Sequence, residues 1–186
     1  MNKKNIFILL ISAICICSCD SSEIKSTDKD EQSLFIPMED CNENIQNVFF
    51  GVQFGASKEK LIETFAEHNF YTEPGDELFY KVINGNIYSF QFENMEWMSI
   101  RVGIDNNRFN MIEFINFSDT KEGAIKKFNH VLSNVSSKYD MHDFEDNNPN
   151  IYIRNIGVGK NNCWVTVYCE HLGNEMYIVC LGYGEN

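Results

Sequence analysis

From residue 48 onward the chain alternates short runs of β-branched and aromatic residues with Gly- and Asn-containing breaks. Only two stretches carry helical spacing, which confines the fold to an antiparallel sheet with few helices. Strand-like runs occupy residues 78–83, 87–92, 98–104 and 111–117, and again residues 151–156, 163–170 and 176–183. The breaks are residues that reverse a chain at little cost. Gly85-Asn86 suits a two-residue hairpin, Asp105-Asn106-Asn107 a looser turn, and Gly173-Asn174 joins the last pair, because Gly and Asn tolerate positive φ.

The two helical stretches each precede a set of strands. In VFFGVQFGASKEKLIETFAEHNF, Gly51 and Gly55 bracket a short strand and Ser57 is placed to cap a helix over residues 58–68, with Leu61, Ile62, Phe65 and Ala66 on one face. Further on, Asp119 and Glu122 have capping-box spacing, and Ala124, Ile125, Phe128, Val131, Leu132, Val135 and Tyr139 form an apolar stripe. The pattern predicts an α+β fold: a curved antiparallel sheet with two helices on one face, built from a duplicated helix-plus-strands unit.

The N-terminus reads differently. Lys3 and Lys4 precede the apolar run IFILLISAICI at residues 6–16, and Ser18 and Cys19 follow it. At about 1.5 Å per residue the run covers roughly 16 Å, half of a hydrocarbon core of about 30 Å, so it suits a signal-peptide core and not a membrane span. Cys15 and Cys17 follow isoleucines, whereas Cys19 follows the small Ser18 that signal peptidases require. Ile16-Cys17-Ser18-Cys19 resembles the lipobox of bacterial lipoproteins, which implies a diacylglyceryl group on Cys19 and fatty chains such as palmitate holding the mature chain to a membrane. The expected organisation is a signal peptide at residues 1–18, an acidic flexible tether at 19–43 and one domain at 44–186. Within the tether, Leu34-Phe35-Ile36-Pro37-Met38 is the one apolar cluster, suited to docking as an edge strand.

Composition excludes some partners. With 27 Asp and Glu against 15 Lys and Arg, the formal charge is −12, and no basic cluster offers a surface for phosphate. A nucleic-acid partner is therefore not expected, and attachment to a membrane falls to lipid rather than to a basic patch.

The glycine-led opening, the helix ending at Asn69-Phe70, the strands, and the long helix ending at Lys138-Tyr139 resemble small lipoproteins of Bacteroidetes-type bacteria that have no assigned role. The layout is also similar to the β-lactamase-inhibitor-like fold, used by a small lipoprotein of the outer-membrane assembly machinery. This resemblance implies an α+β fold, a lipid-anchored place in the envelope, with the outer membrane on its periplasmic or surface side as the expectation, and action by binding; Asp20 directly after Cys19 leaves the inner membrane as the alternative. It carries no catalytic residue across.

Residues that could carry chemistry are few. Asp140, His142, Asp143, Glu145 and Asp146 crowd a short loop, and oxygen-rich loops suit divalent cations. Asp146, Asn148 and Asn150 begin like a calcium loop, but Ile151 stands where glycine is needed for the sharp turn, so the expectation is a solvated acidic loop. His68, His130 and His171 have no partner at zinc-like spacing, and no hydrolase, nucleotide or dinucleotide motif occurs, so no cofactor is expected. Glu93, Glu96 and Glu113 are scattered carboxylates of the kind that acid/base sites use. Trp97 and Trp164 are the candidates for stacking on a ligand, although strand alternation accounts for most of the aromatic residues. Cys41, Cys163, Cys169 and Cys180 could pair in an exported protein. A two-residue loop at Gly173-Asn174 sets Cys180 opposite Val167, which points instead to buried unpaired thiols.

The expected role is a non-enzymatic binding or accessory module of the cell envelope, anchored to the membrane by lipid and presenting its sheet face to another envelope protein or to an exported ligand. The alternative is an envelope hydrolase or metal-dependent enzyme using the acidic loop around His142.

Overall fold

The computed structural model describes residues 43–73, 76 and 78–186. The signal-like run, Cys19, the apolar cluster at residues 34–38 and Cys41 lie outside the described residues. In chain order the elements are β1 (Val48–Phe49), β2 (Val52–Gln53), α1 (Lys58–Glu67), β3 (Phe70–Tyr71), β4 (Leu78–Ile83), β5 (Asn86–Tyr88), β6 (Phe90–Phe92), β7 (Met95–Trp97), β8 (Ser99–Asp105) and β9 (Arg108–Ser118). There follow α2 (Lys121–Ser136), β10 (His142–Asp143), β11 (Ile151–Val158), β12 (Cys163–Gly173) and β13 (Met176–Glu185). The fold is α+β, an open antiparallel sheet with two helices. No helix among the described residues is long and apolar enough to cross a membrane.

The main sheet has nine strands in the order β10-β11-β12-β13-β9-β8-β4-β3, with β5 paired to the outer part of β4. Alternation along these strands divides their side chains between two cores. Val165, Val167 and Cys169 of β12, Val179, Leu181 and Tyr183 of β13, Ile112 and Phe114 of β9, and Ile100 and Val102 of β8 join the larger core. Leu61 and Phe65 of α1 and Ala124, Phe128, Val131 and Val135 of α2 belong to that same core. Residues of the opposite parity, Ile115, Tyr168, Ile178 and Cys180, form a second and smaller core.

An aromatic cluster locks the entry to the fold. Phe50 has φ 49° and Gly51 φ 86°, the left-handed pair of a tight hairpin between β1 and β2. A phenylalanine seldom adopts such a backbone. Here its ring lies 4.9 Å from Phe70 and 5.7 Å from Phe65, so packing holds the residue where its backbone preference would not.

Both helices begin on hydroxyl caps. Ser57 Oγ accepts from the Lys60 N–H at 3.3 Å, as its position predicts. The second cap differs from expectation: Thr120, not Asp119, is the N-cap, and its Oγ1 accepts from the Gly123 N–H at 3.1 Å. The reason is steric as well as polar. A Cβ on Gly123 would lie 2.6 Å from Ser118 Oγ and 2.9 Å from Thr120 Oγ1, so the cap closes only over a glycine.

Turn positions account for the other departures. The β4–β5 turn is Asn84-Gly85 (φ 51° and 76°) rather than Gly85-Asn86, because a type I′ turn needs positive φ at both central residues and Asn-Gly supplies it. The run at residues 87–92 is two strands, since β6 turns back on β7 through Glu93 and Asn94, both at positive φ. Between β12 and β13, Gly173, Asn174 and Glu175 all take positive φ and the register shifts there. Cys180 consequently faces Tyr168, and Val167 faces Leu181. Cys163 and Cys169 sit in the larger core, Cys180 in the smaller, and all three are buried free thiols.

The shifted cap gives a direct test. Thr120→Ala is expected to lower unfolding free energy by about 1 kcal/mol. Asp119→Ala is expected to change it by no more than about 0.5 kcal/mol, both read from denaturant titration.

Candidate functional site

The face of the sheet that carries the smaller core brings together side chains that no sequence motif joins. Arg101 of β8 and Glu113 of β9 are register partners, and Glu113 is itself opposite Gly182 of β13. The Arg101 guanidinium donates to Glu113 Oε2 at 3.1 Å, while the Tyr168 hydroxyl donates to Oε1 at 3.0 Å. Glu113 is 7% exposed, so both oxygens of a nearly buried carboxylate are satisfied from within the fold. Tyr168 reaches Glu113 from β12 by crossing β13. Gly182, between Thr166 and Glu113 in the register, lets their side chains close together over the strand: a Cβ there would sit 3.0 Å from Thr166 Cγ2, 3.4 Å from Glu113 Cγ and 3.5 Å from the Trp164 ring.

A second charged pair lies beside the first. Arg154 of β11 faces Tyr168 in the register. Its Nε donates to Thr166 Oγ1 at 3.0 Å, a terminal nitrogen donates to Asp146, and its guanidinium is held between the rings of Phe144 at 5.4 Å and Tyr168 at 5.5 Å. Arg154 therefore stacks on one side of Tyr168 while the phenol oxygen of that residue serves Glu113.

Trp164 completes the surface. It is opposite Gly184, and a Cβ on Gly184 would fall 2.1 Å from the indole Cζ2, so the ring lies directly on the β13 backbone. Glycine inside a strand marks such close approach. The indole is fixed in place and only half-buried.

Electrostatics follow from this packing. Burial raises the Tyr168 and Cys180 pKa values well above their usual ranges, with the Glu113 charge adding to both, so each stays protonated. Burial pulls Arg101 down, but the Glu113 charge together with smaller contributions from neighbouring groups, Glu170 among them, outweighs it and holds the guanidinium more firmly cationic. For Asp146, burial acts upward, yet the Asn148 N–H and the Arg154 guanidinium together keep its carboxyl below the ordinary range. Glu170 is raised, by burial first and then by the charges of Glu113 and Asp146, against the pull of Arg101.

The residues singled out from the sequence are distributed differently. Trp97 is not a surface platform. It is fully buried in the larger core, its indole N–H donates to the Phe92 carbonyl at 2.9 Å, and its ring sits 5.9 Å from Phe114. The acidic loop is dispersed over separate partners. His142 Nε2 lies 3.4 Å from Asp140, Asp143 accepts from Asn155 at 2.8 Å, Asp146 serves Arg154, and Glu145 is exposed. Among the described residues no three His, Cys, Asp or Glu side chains form a group that could hold a metal ion. Of the scattered carboxylates, Glu113 is the one built into a network, Glu93 pairs with Lys138, and Glu96 accepts from Ser89. His68 caps α1 with its ring 5.8 Å from Phe50, His171 stacks on Tyr177 at 4.8 Å, and His130 stands 3.5 Å from Asn134.

Sequence reading passed over Arg101, Arg154, Tyr168, Gly182 and Gly184 as site residues. A signal existed for one of these sets. Gly182-Tyr183-Gly184 inside an apolar strand announces a ring laid across it, whereas Arg101 meets Glu113 because the β8–β9 register shifts between Gly103 and Ile104; an unbroken ladder from the Asn106-Asn107 turn would set Arg101 opposite Ile112. Comparison with protein-family models, with curated proteins and with solved structures found no match to this chain.

Two substitutions test the geometry. Gly184→Ala must displace the Trp164 indole. It is expected to cost about 1–3 kcal/mol as an overpacking change and to shift Trp164 emission to the red, read against Trp164→Phe to remove the Trp97 background. The second concerns Glu170, whose raised folded pKa means that ionising it weakens the fold. That cost is present above the folded pKa and vanishes once the unfolded chain is protonated too, below its ordinary value of 4.5. Glu170→Gln is therefore expected to raise Tm at neutral pH and to lose that advantage below about pH 4, as followed by thermal melts across the range.

Proposed function

We propose that this chain is a lipid-anchored binding module of the cell envelope, held to the outer membrane through Cys19, and that it meets its partner with the sheet face around Trp164. The observation that carries this reading is the indole of Trp164 laid on Gly184 beside two charged pairs that are already neutralised within the fold. A rigid, half-buried aromatic ring next to arginines is the side-chain combination that dominates binding energy at protein interfaces, because little conformational freedom remains to be lost on contact.

The charged groups support recognition better than turnover. Glu113 has both oxygens occupied, Tyr168 and Cys180 are held protonated, and Arg154 is clamped between two rings. These groups fix the shape and the potential of the face. Arg101, with its side chain 37% exposed, is the cation on this face that retains a solvent-facing edge suited to an acidic or carbonyl-rich partner surface. Both helices feed the opposite core, which is consistent with the proposed arrangement of two helices on one face and recognition on the other. The lipobox-like Ile16-Cys17-Ser18-Cys19 and the resemblance to small envelope lipoproteins support the location.

The test has two parts. Metabolic labelling with a palmitate analogue is expected to mark the chain and to fail on Cys19→Ser, which should also appear in the wash from membranes; label on that variant would remove the anchor. A photoreactive phenylalanine in place of Trp164 is expected to form a defined cross-linked adduct in cells that the same group at Lys126, exposed on α2, does not form. Equal cross-linking at both positions would remove the proposed face.

A further inference from the structure

The outer half of β4 leaves the main sheet. Its first residues pair with β8 (Leu78 with Arg101, Phe79 with Ile100), but from Lys81 onward it pairs with β5 on that side, while β3 pairs with it on the other. The result is a three-stranded tab ending at the Asn84-Gly85 turn.

The tab is unusual in what it exposes. Tyr71 is 49%, Ile83 40%, Ile87 48% and Tyr88 47% exposed, which makes it home to four of the seven exposed large apolar side chains among the described residues. Every residue of β5, Asn86-Ile87-Tyr88, is exposed, although Ile and Tyr are residues a strand normally uses to bury a face. Register divides these side chains between the two surfaces. Tyr71 lies opposite Tyr80 and Ile87 opposite Val82, on one side of the tab; Tyr88 lies opposite Lys81 and Ile83 two residues on, on the other.

That division decides the occupant. A docking face for a folded partner is apolar on one side of a ribbon and polar on the other. Apolar exposure on both sides suits a medium that surrounds the element. Charge agrees at the Asn84-Gly85 end: the three strands and that turn hold one charged residue, Lys81, while the acidic Glu73, Asp76 and Glu77 fall in the 72–77 connection between β3 and β4, in a chain of net charge −12. Strands free of acidic groups, bearing one cation and two exposed tyrosines, match the phosphate and carbonyl layer of a lipid surface, where tyrosine rings and lysine stems lie with their polar ends in water.

We infer that the β3–β4–β5 tab inserts into the interfacial layer of the bilayer, making a second contact with the membrane besides the lipid on Cys19. The inference deepens the anchored reading and rests on it for the concentration that brings so small an element to the surface. Insertion of about 5–10 Å would seat Ile83, Ile87, Tyr71 and Tyr88 at the headgroup boundary. The sheet face bearing Trp164 remains available to a partner.

The experiment uses the full lipidated chain in vesicles of phosphatidylethanolamine and phosphatidylglycerol, with an environment-sensitive fluorophore at Ile87→Cys or, as control, at Asn106→Cys in the exposed β8–β9 turn at the other end of the sheet. Vesicles with brominated acyl chains are expected to quench the reporter at residue 87 by about half and to leave that at residue 106 unchanged, as an interfacial depth of about 5–10 Å requires. Tyr71→Asp with Tyr88→Asp in the Ile87→Cys background is expected to abolish the quenching while flotation with vesicles persists. Equal signals at residues 87 and 106 would overturn the inference. So would a reporter that is shielded only when envelope proteins are added, since the tab would then be a protein contact. Flotation reports the Cys19 anchor separately: loss of flotation with quenching retained condemns the anchor, and flotation without quenching condemns the tab.

Discussion

Strand β13 lies between β12 and β9 and is buried without interruption from Ile178 to Gly184. An antiparallel strand so placed must find cover on both sides, yet the helices feed only one of the two cores. The other side is roofed by side chains of neighbouring strands, and glycines at alternate positions make that possible. Gly182 lets Thr166, Glu113 and the Trp164 ring close over the strand, and Gly184 gives the Trp164 ring a bed of backbone. The packing of this face is thus set by two missing side chains.

The roof is polar where a helix would have been apolar, and this decides its electrostatics. A nearly buried carboxylate such as Glu113 survives because two donors meet it, and a guanidinium such as Arg154 survives between two rings with a carboxylate at its tip. Removing one member would strand the other. The network therefore fixes a single arrangement of side chains on a face that loops alone would leave adaptable.

Much of the architecture was legible from residue pattern. Ser57 and the spacing of Leu61 and Phe65 located the first helix to within a residue at its end, and the limits of β4 match the apolar run that announced it. Errors arose where backbone sterics outrank composition. Asp119 looks like a cap, but only Thr120 has Gly123 beneath it, and three successive positive-φ residues at 173–175 changed which residue meets Cys180. Of the candidate site, Trp164 and Glu113 were visible as residue types, whereas their partners lie far along the chain: Tyr168 is 55 positions from Glu113. Trp97 and Trp164 look alike in sequence and part company in space, one buried under Phe114 and the other resting on a glycine.

The placement of the three buried thiols has a consequence for the life of the molecule. Cys169 and Cys180 are on adjacent strands, yet the sheet itself separates them, since one belongs to the helix-covered core and the other to the opposite one. Burial raises the pKa of each of the three thiols, to about 11 for Cys169, so hardly any thiolate is present to react. Once folded, these three sulfurs are kept apart by the sheet and shielded by burial. Before folding they are not, so a chain delivered unfolded into an oxidising compartment must close its sheet faster than its sulfurs are joined.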